Sequence, residues 1–315
     1  MTAQILDIGN SGLDEAARLL RGGELVAFPT ETVYGLGADA TNDQAVARIY
    51  EAKGRPSFNP LIVHFPDAQK VKEEVVWNES AEKLAAAFWP GALTFILPRA
   101  AGCQLSLLVS AGLDTVAVRV PAHKAAHSLI EKAEKPIAAP SANSSGKISP
   151  TTAAHVQASL GNKISFILDG GISAIGLEST VVDLSGNTPS LLRPGAINRS
   201  EIEAIIGQIE VLTNEETSPK SPGMLIRHYA PDAPIRLDAK EFSEDENVLG
   251  FGPNAPADAF NLSPTGDLIE AAANLFAMLH ELDHADANPI AVMPIPDAGL
   301  GTAINDRLRR AATRE

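Results

Sequence analysis

The stretch from Phe28 to His64, FPTETVYGLGADATNDQAVARIYEAKGRPSFNPLIVH, decides how the rest of the chain is interpreted. An apolar run, Leu25–Phe28, precedes Pro29 and predicts a short buried strand that ends abruptly. Hydroxyl side chains and the two glycines of YGLG follow, and glycine lets a ligand approach the backbone closely. A second strand is predicted at Leu61–Phe65, so the stretch indicates a strand, a polar loop, a helix and a strand.

The predicted helix of this stretch ends in two cations. Thr41 or Asn42 can cap its N-terminus, and Gly54 is typical of its C-terminus. Lys53 and Arg55 flank this glycine, and we expect both to be exposed on a rigid corner that suits an anionic ligand. A cationic helix C-terminus favoured by the helix dipole is an equally good interpretation. The buried face is predicted from apolar residues at helical spacing, namely Ala45, Val46, Ile49 and Tyr50.

Composition indicates a globular protein of one large domain or two ordinary ones. The chain has 315 residues, of which 45% are hydrophobic and 20% charged. It contains no run of about 20 apolar residues, and its N-terminus does not resemble a signal peptide. Cys103 is the only cysteine, which excludes an internal disulfide, and we expect no cysteine-based metal site. We therefore expect a cytoplasmic protein without a membrane span.

The negative charge is concentrated in the C-terminal part. The net charge is −14, of which residues 1–200 carry −2 and residues 201–315 carry −12. An acidic protein is a poor candidate for holding nucleic acid by counterion release. The nearly neutral first part can still carry a local basic patch around a site.

The order of predicted elements indicates two α/β domains. Strands and helices alternate irregularly up to Leu192, with several consecutive strands late in this region, which favours a mixed sheet over a doubly wound parallel one. Asn214–Pro234 lacks apolar periodicity and is predicted to be a linker. Strands at Val248–Phe251 and Ile290–Met293 then enclose a long apolar helix, which indicates a small open α/β domain. The predicted boundaries are 1–207 for the first domain, 208–234 for the linker and 235–315 for the second domain.

Several common site motifs are absent from the sequence. It contains no Walker A loop, no complete dinucleotide-binding fingerprint and no HExxH motif. Two histidine pairs at helical spacing, His123/His127 and His280/His284, lack a suitable carboxylate arrangement, and we interpret them as surface histidines. A nucleotide would therefore need a different kind of phosphate site.

Polar loops at predicted strand ends are the remaining candidates. They contain Lys53/Arg55, Ser141/Asn143 with Ser149, and Glu178-Ser179-Thr180. Each could be an ordinary turn, but together they place polar groups where α/β sites are usually built. Two arginines at strand ends, Arg119 and Arg193, are natural anchors for a carboxylate and a phosphate. The structural alternative for Arg119 is an ion pair with Asp114 or a nearby Glu.

The motifs of the chain resemble those of a known family. PTETVYGLG and KGRPxxxPL, followed in order by APSANSSG (139–146), GLESTVVD (176–183) and LLRPG (191–195), are similar to the threonylcarbamoyl-AMP synthases of the Sua5/YrdC family. HYAP (228–231) and GLGxAIxxRLxxAA (299–312) resemble the two-domain branch. The resemblance implies a YrdC-like twisted mixed sheet with a positively lined concave face, and a small Rossmann-like second domain.

The resemblance also implies a reaction. L-threonine, bicarbonate and ATP would give L-threonylcarbamoyl-AMP and pyrophosphate, with Mg²⁺ accompanying ATP, and the product would pass to the machinery that modifies adenosine 37 of tRNA. Such chemistry needs positioning and charge stabilisation more than a nucleophile. The implied threonine contacts are Thr32, His64, Arg119, Ala139 and Ser179. The implied ATP contacts are Arg55, Asn59, Thr115, Ser141, Ser149, Arg193 and Tyr229, and the implied catalytic set is Lys53, Arg55, Ser141 and Asn143.

Three other functions are compatible with this domain. A double-stranded RNA or tRNA-binding module would use the positive face, but the net charge of −14 argues against this as the main role. A carbamoyl-transfer maturation factor would carry cysteine-rich zinc modules, which a single cysteine excludes. A paralogue with a lost activity is disfavoured by the intact KGR and SAN motifs.

The predicted linker contains an apolar and aromatic segment, Met224–Tyr229. We expect it to lie across the mouth of the first domain's cleft as a lid that excludes water from the bound nucleotide. The alternative is a flexible tether with Tyr229 packed at the domain interface.

Overall fold

The computed structural model describes residues 2–211, 228–283 and 288–313. In the N-terminal region the strands are β1 Gln4–Asp7, β2 Val26–Phe28, β3 Gly35–Asp39, β4 Ile62–His64, β5 Leu93–Pro98, β6 Thr115–Arg119, β7 Ile137–Ala138, β8 Phe166–Asp169, β9 Thr180–Asp183, β10 Ser190–Arg193 and β11 Glu210–Val211. The helices are α1 Asn10–Arg21, α2 Asp43–Lys53, α3 Ala68–Glu74, α4 Glu79–Phe88, α5 Lys124–Ala133, α6 Ala153–Leu160 and α7 Arg199–Ile206.

These strands form one mixed sheet. Among the described residues its order is β1-β8-β2-β3-β7-β4-β6-β5-β9-β10-β11. β4 and β6 are parallel, whereas β7 runs antiparallel to β4, and the register places His64 beside both Arg119 and Ile137. The predicted mixed sheet is confirmed, and this register brings the ends of three separate chain segments together.

The opening stretch differs from its prediction at one point. Residues predicted as a polar loop form β3, which pairs antiparallel with β2. A Cβ atom at Gly37 would lie 2.8 Å from a ring carbon of Phe28, so this glycine makes room for a core side chain and not for a ligand. Gly35, in contrast, lines the cavity described below.

α2 has the ends that its sequence predicts. The Asn42 side chain accepts hydrogen bonds from the backbone N–H groups of Gln44 and Ala45, at 3.0 and 3.2 Å. Gly54 follows the helix with φ of 60°, the left-handed conformation that glycine adopts without strain. Both ends of α2 are therefore fixed, and the corner that carries Lys53 and Arg55 follows its C-terminal end.

The C-terminal region is a smaller α/β unit. Its strands are β12 Ile235–Arg236, β13 Asn247–Gly250, β14 Phe260–Asn261 and β15 Ile290–Val292, and its helices are α8 Leu268–Leu282 and α9 Leu300–Ala312. The strands pair in parallel in the order β12-β15-β13-β14. The α/β class is confirmed, although β12 and β14 were not predicted. In the described ranges, no helix combines the length and apolarity needed to cross a membrane.

One apolar cluster joins the two regions. Val33, Ile148 and Leu177 of the N-terminal region belong to the same buried cluster as residues of α8 and α9. Gly176 lies against α8 with φ of +74°, and a Cβ atom there would lie 2.6 Å from the backbone of Ala272 and Ala273. The C-terminal region thus packs directly on the loop that precedes β9.

Candidate active site

A cavity lies where β4, β6 and β10 end and β3 begins. It gathers side chains from loops that are far apart in the sequence. Nine residues singled out in the sequence line it, namely Thr32, Arg55, His64, Arg119, Ala139, Ser141, Ser179, Arg193 and Tyr229. The strand-end loops that the sequence predicted as candidates therefore meet at one place.

Five other predicted site residues do not line the cavity. Lys53 and Ser149 lie behind its wall and donate to the lining residues Ser141 and Glu178, and Asn143 lies in the loop that Lys53 supports. Asn59 is fully buried, and neither atom of its side-chain amide has a hydrogen-bond partner within the described residues. Thr115 lies at the start of β6 and Arg119 at its end. Thr115 is therefore separated from the predicted site residues that line the cavity.

Arg119 is the centre of the first group of wall residues. Its guanidinium donates to Glu31 at 2.6 Å, to the Thr32 hydroxyl at 3.0 Å and to the Gly91 carbonyl at 3.0 Å. The ion-pair partner is thus Glu31 and not Asp114. Burial raises the pKa of Glu31, but the charge of Arg119 and the hydrogen bonds that Glu31 accepts together outweigh it, so that the pKa is lowered and Glu31 stays ionised. Glu31 holds Arg119 in place from one side, where it can present its charge to a carboxylate.

His64 is a neutral imidazole. Burial and the charge of Arg119 lower the pKa of His64 to about 3. Its Nδ1 has no partner among the described residues. A buried nitrogen without a partner is a candidate contact for a polar ligand atom.

Lys53 and Arg55 are buried, which corrects the prediction that they are exposed. Their exposed fractions are 3% and 7%. The Lys53 ammonium donates to the carbonyl of Ser141 at 2.6 Å and to that of Asn143. Arg55 donates to the carbonyls of Asn59 at 3.1 Å and Pro60 at 2.9 Å. Lys53 therefore supports the Ser141–Asn143 loop from behind, and only Arg55 reaches the cavity wall.

Burial lowers the pKa of both basic side chains, but Arg55 keeps its charge. Burial and the neighbouring Arg55 lower the pKa of Lys53 well below its usual value. Burial lowers the pKa of Arg55 to about 10, so Arg55 stays protonated at neutral pH. A bound anion would compensate the energetic cost of burying this positive charge. The cavity wall around Arg55 is therefore a good site for a phosphate group.

Asn143 organises the loop that follows β7. Its side-chain nitrogen donates to the carbonyls of Ser144 at 2.9 Å and Lys147 at 2.7 Å. Its oxygen has no partner in the described part of the chain. Asn143 thus shapes the turn that presents Ser141 to the cavity.

Arg193 and Ser179 form the second group of wall residues. Arg193 donates to the Ser179 carbonyl at 3.1 and 2.9 Å and to its hydroxyl at 3.2 Å. The Ser179 hydroxyl also lies 2.8 Å from that of Thr94 on β5. Burial lowers the pKa of Arg193 from its usual value. A second cation is therefore held rigidly at the cavity wall.

His228 and Tyr229, in the C-terminal part of the predicted linker, close the cavity. Tyr229 is fully buried with φ of +62°, and its hydroxyl has no partner among the described residues. Burial and nearby cations, Arg55 foremost, lower the pKa of His228 well below its usual value, so the ring is neutral. Met224–Arg227 of the predicted lid lie outside the described residues. The part that is described, His228–Pro234, begins inside the site.

Two wall contacts were not foreseen from the sequence. An ion pair of Arg119 with Asp114 or a nearby Glu was one of the alternatives, but nothing in the PTET motif shows that Glu31 is this partner. Arg307 of α9 reaches Glu178 in the loop before β9 at 2.9 Å. No sequence pattern indicates this pairing, because the two residues are 129 positions apart.

His280 is half-buried, which corrects the prediction that it lies on the surface. Its ring stacks on that of His155 with centroids 4.0 Å apart, at the junction of α6 and α8. Its Nε2 lies 3.2 Å from the Ser149 carbonyl. His284, the other member of the predicted pair, lies outside the described residues.

Comparison with known proteins places the chain in a family. A family model described as Telomere recombination matches residues 18–195, and one described as Threonylcarbamoyl-AMP synthase, C-terminal domain, matches residues 197–313. The threonylcarbamoyl-AMP synthase of Pyrococcus abyssi is 45% identical, over 94% of this chain and 93% of the relative. That of Bacillus subtilis is 44% identical, over 98% and 94%.

A solved structure agrees over the whole length. The crystal structure of P. abyssi Sua5 complexed with L-threonine matches with a TM-score of 0.92 and 41% identity, covering 98% of each chain. Sequence and fold agree in both regions, and the chain therefore belongs to the Sua5/YrdC family, in its two-domain form.

Proposed function

We propose that the chain is an L-threonylcarbamoyladenylate synthase, a nucleotidyltransferase that converts L-threonine, bicarbonate and ATP into L-threonylcarbamoyl-AMP and pyrophosphate. One observation carries the proposal. A single cavity joins the Arg119 group, suited to an amino-acid carboxylate, with Arg55 and Arg193, suited to phosphates. Relatives at 45% and 44% identity that are named threonylcarbamoyl-AMP synthase support it.

The chemistry needs two bond-forming steps. The threonine amine attacks the carbon of bicarbonate, and loss of water leaves a carbamate. A carbamate oxygen then attacks the α-phosphorus of ATP, and the bond to the bridging oxygen breaks, so that pyrophosphate leaves with the negative charge. Arg119 would orient the threonine carboxylate, and the neutral His64 ring would accept a hydrogen bond from a donor group of the substrate. Arg55 and Arg193 would stabilise the negative charge on the phosphates.

The residues present fit Mg²⁺ that is brought with the nucleotide. Among the described residues, no group of three or more His, Cys, Asp or Glu side chains could hold a metal ion. Two carboxylates beside the cavity, Glu31 and Glu178, are each paired with an arginine. We therefore propose that Mg²⁺ binds mainly through triphosphate oxygens and water, and that it supplies charge neutralisation.

The product is an activated acyl donor that must be consumed by transfer. We propose that the threonylcarbamoyl group passes to a transferase that acts on adenosine 37 of tRNA. Direct tRNA binding by this chain should be weak and sensitive to salt, because the net charge is −14.

The test is pyrophosphate release by the purified protein. Release should require threonine and bicarbonate together, and omission of either should abolish it. Hydrolysis of ATP to ADP and phosphate without threonine would refute the proposal.

A further inference from the structure

Thr30, in the turn between β2 and β3, lines the cavity without being one of the predicted site residues. Its hydroxyl donates to the Val33 carbonyl at 2.6 Å and accepts from the backbone N–H groups of Thr32 at 3.2 Å and Val33 at 3.3 Å. A carbonyl oxygen only accepts hydrogen bonds, so the proton of Thr30 is committed to Val33. By themselves, these bonds within the turn would make Thr30 an ordinary turn residue.

A bond between two hydroxyls extends this order to a second residue of the cavity wall. The hydroxyl oxygens of Thr30 and Thr32 lie 2.8 Å apart, and a hydroxyl can donate or accept. Because the proton of Thr30 already goes to Val33, the proton between the two oxygens comes from Thr32. Thr32 therefore donates to Thr30, and the direction of this bond is fixed.

The Thr32 oxygen also accepts from a cation. The Arg119 guanidinium donates to it at 3.0 Å. A hydroxyl has one proton and two lone pairs. Its proton is donated to Thr30 and one lone pair accepts from Arg119, so one lone pair remains, and no other group among the described residues donates to it. Since Thr32 lines the cavity, this hydroxyl can accept a hydrogen bond from a ligand but has no proton left to donate.

Arg119 offers the opposite polarity beside it. Its bonds to Glu31, Thr32 and the Gly91 carbonyl use three of the five N–H groups of a guanidinium. In the described part of the chain the other two are free to donate to a carboxylate. The two neighbouring side chains therefore suit a carboxylate that carries an N–H or O–H donor close by, as an amino acid or a hydroxy acid does.

We infer that Thr30 is a positioning residue of the amino-acid site: it accepts the proton of Thr32 and so leaves the Thr32 oxygen as an acceptor for a hydroxyl or ammonium donor of the substrate. The inference rests on the proposed function, in which the substrate is L-threonine. Without the Thr30 hydroxyl, the Thr32 proton would lose its acceptor and would be free to turn toward the cavity. It would then oppose the donor of the substrate.

The test measures ligand binding by calorimetry in the full-length protein. Thr30→Val removes the hydroxyl and keeps the shape of the side chain, whereas Thr30→Ser keeps the hydroxyl. Thr41→Val is the matched control, because the Thr41 hydroxyl donates to Asp39 at 2.7 Å and does not line the cavity. We expect Thr30→Val to weaken L-threonine binding by at least about threefold, as for the loss of one neutral hydrogen bond. Thr30→Ser and Thr41→Val should match the parent.

Two further ligands distinguish positioning of Thr32 from support of the turn. O-methyl-L-threonine lacks the hydroxyl proton of threonine, and (R)-3-hydroxybutyrate lacks its amino group. The ligand without the donor that faces Thr32 has no bond to lose there, so Thr30→Val should leave its affinity unchanged. The other ligand should lose as much affinity as L-threonine does. The ligand that is unaffected thus identifies which donor Thr32 accepts from.

A loss by the same factor for all three ligands, with a lower melting temperature, would show that Thr30 only shapes the turn and would overturn the inference. Unchanged L-threonine binding by Thr30→Val would overturn it as well. If Thr30→Val does not fold, Thr30→Ala replaces it with the same expectations, because it leaves out the branch that faces the Val33 carbonyl.

The parent protein also tests the inference without any variant. Equal affinity for all three ligands would exclude a substrate donor at Thr32. A parent that binds L-threonine without releasing pyrophosphate would refute the proposed function instead, and the binding comparison would still decide the role of Thr30.

Discussion

At the scale of single residues, the burial of Lys53 changes what its substitution should do. Lys53→Met keeps the length of the side chain but leaves the carbonyls of Ser141 and Asn143 without their donor. We expect a loss of about 1.5–3 kcal/mol in the free energy of unfolding, together with a loss of activity.

Urea unfolding and pyrophosphate release would be measured on the same preparation. Lys70→Met is the matched control, because Lys70 is exposed and pairs with Glu73 three residues along the same helix. If Lys53→Met kept the stability of the parent, the supporting role of Lys53 would be wrong.

The amino-acid substrate is a second prediction at this scale. The cavity around Arg119 contains hydroxyl groups of Thr30, Thr32 and Ser179, which suit a substrate hydroxyl. Valine has the shape of threonine without that hydroxyl, so binding it would leave buried polar groups unpaired. We expect kcat/KM for valine to be at least about 100-fold below that for threonine, with serine between them. Comparable use of valine would mean that the pocket recognises only shape.

At the scale of elements, the His155–His280 contact between α6 and α8 should make stability depend on pH. Burial, with His280 nearby, lowers the pKa of His155 to about 4, below the value of about 6.5 in an unfolded chain. The unfolded chain therefore takes up the proton first as the pH falls. The contribution to stability is fully present above pH 6.5 and is lost progressively between about pH 6.5 and 4.

Replacing His155 by Phe keeps a ring for His280 to stack on and removes this titration. Urea unfolding at pH 7 and pH 4.5 should show a smaller loss of stability in His155→Phe than in the parent. His127→Phe, a change at a partly exposed position of α5, should retain the loss of the parent. An equal loss of stability in all three proteins would show that the acid sensitivity comes from groups other than His155.

Elements with strong local signals were predictable, and several of the short ones were not. The cap at Asn42, the left-handed Gly54 and the apolar stripe of α8 each act within a few residues, so the sequence is sufficient to place them. β11, β12 and β14 have two residues each, too few for an alternating pattern. β3 was missed because its glycines are typical of turns, whereas Gly37 fits against a Phe28 ring that is brought there by strand pairing.

At the scale of the whole molecule, the shared apolar cluster predicts that the two regions unfold together. Leu177 is fully buried in that cluster, in the loop that precedes β9. Leu177→Ala should lower the free energy of unfolding by about 2–5 kcal/mol and still give one transition in calorimetry. Ile269→Ala, at an exposed position of α8, is the control and should change stability little. Two separate transitions in the parent would show that the regions are independent.

The residues that line the cavity were predictable in part, but the partners that hold them were not. Motifs place polar residues at strand ends, and the fold brings nine of them to one cavity. The partners that hold these residues in place could not be predicted. Arg119 and Glu31 are 88 residues apart, and Arg307 and Glu178 are 129 apart, so neither pair leaves a local pattern in one sequence. Burial of Lys53 was missed for the same reason, because its carbonyl partners come from a loop about ninety residues later.

The separation of Glu178 from Arg307 also has a consequence for how the protein is made. The ribosome must add 129 residues after Glu178 before it reaches the arginine that faces it. At roughly 5–20 residues per second, this takes about 6 to 26 seconds, during which the first region can fold on the nascent chain. The pocket assembled in that interval still lacks Arg307, whose guanidinium carbon lies 5.3 Å from the centre of the Tyr229 ring. Translation that stops before α9 would therefore yield a folded first region with an incomplete site, and the site would become complete only after α9 has been synthesised.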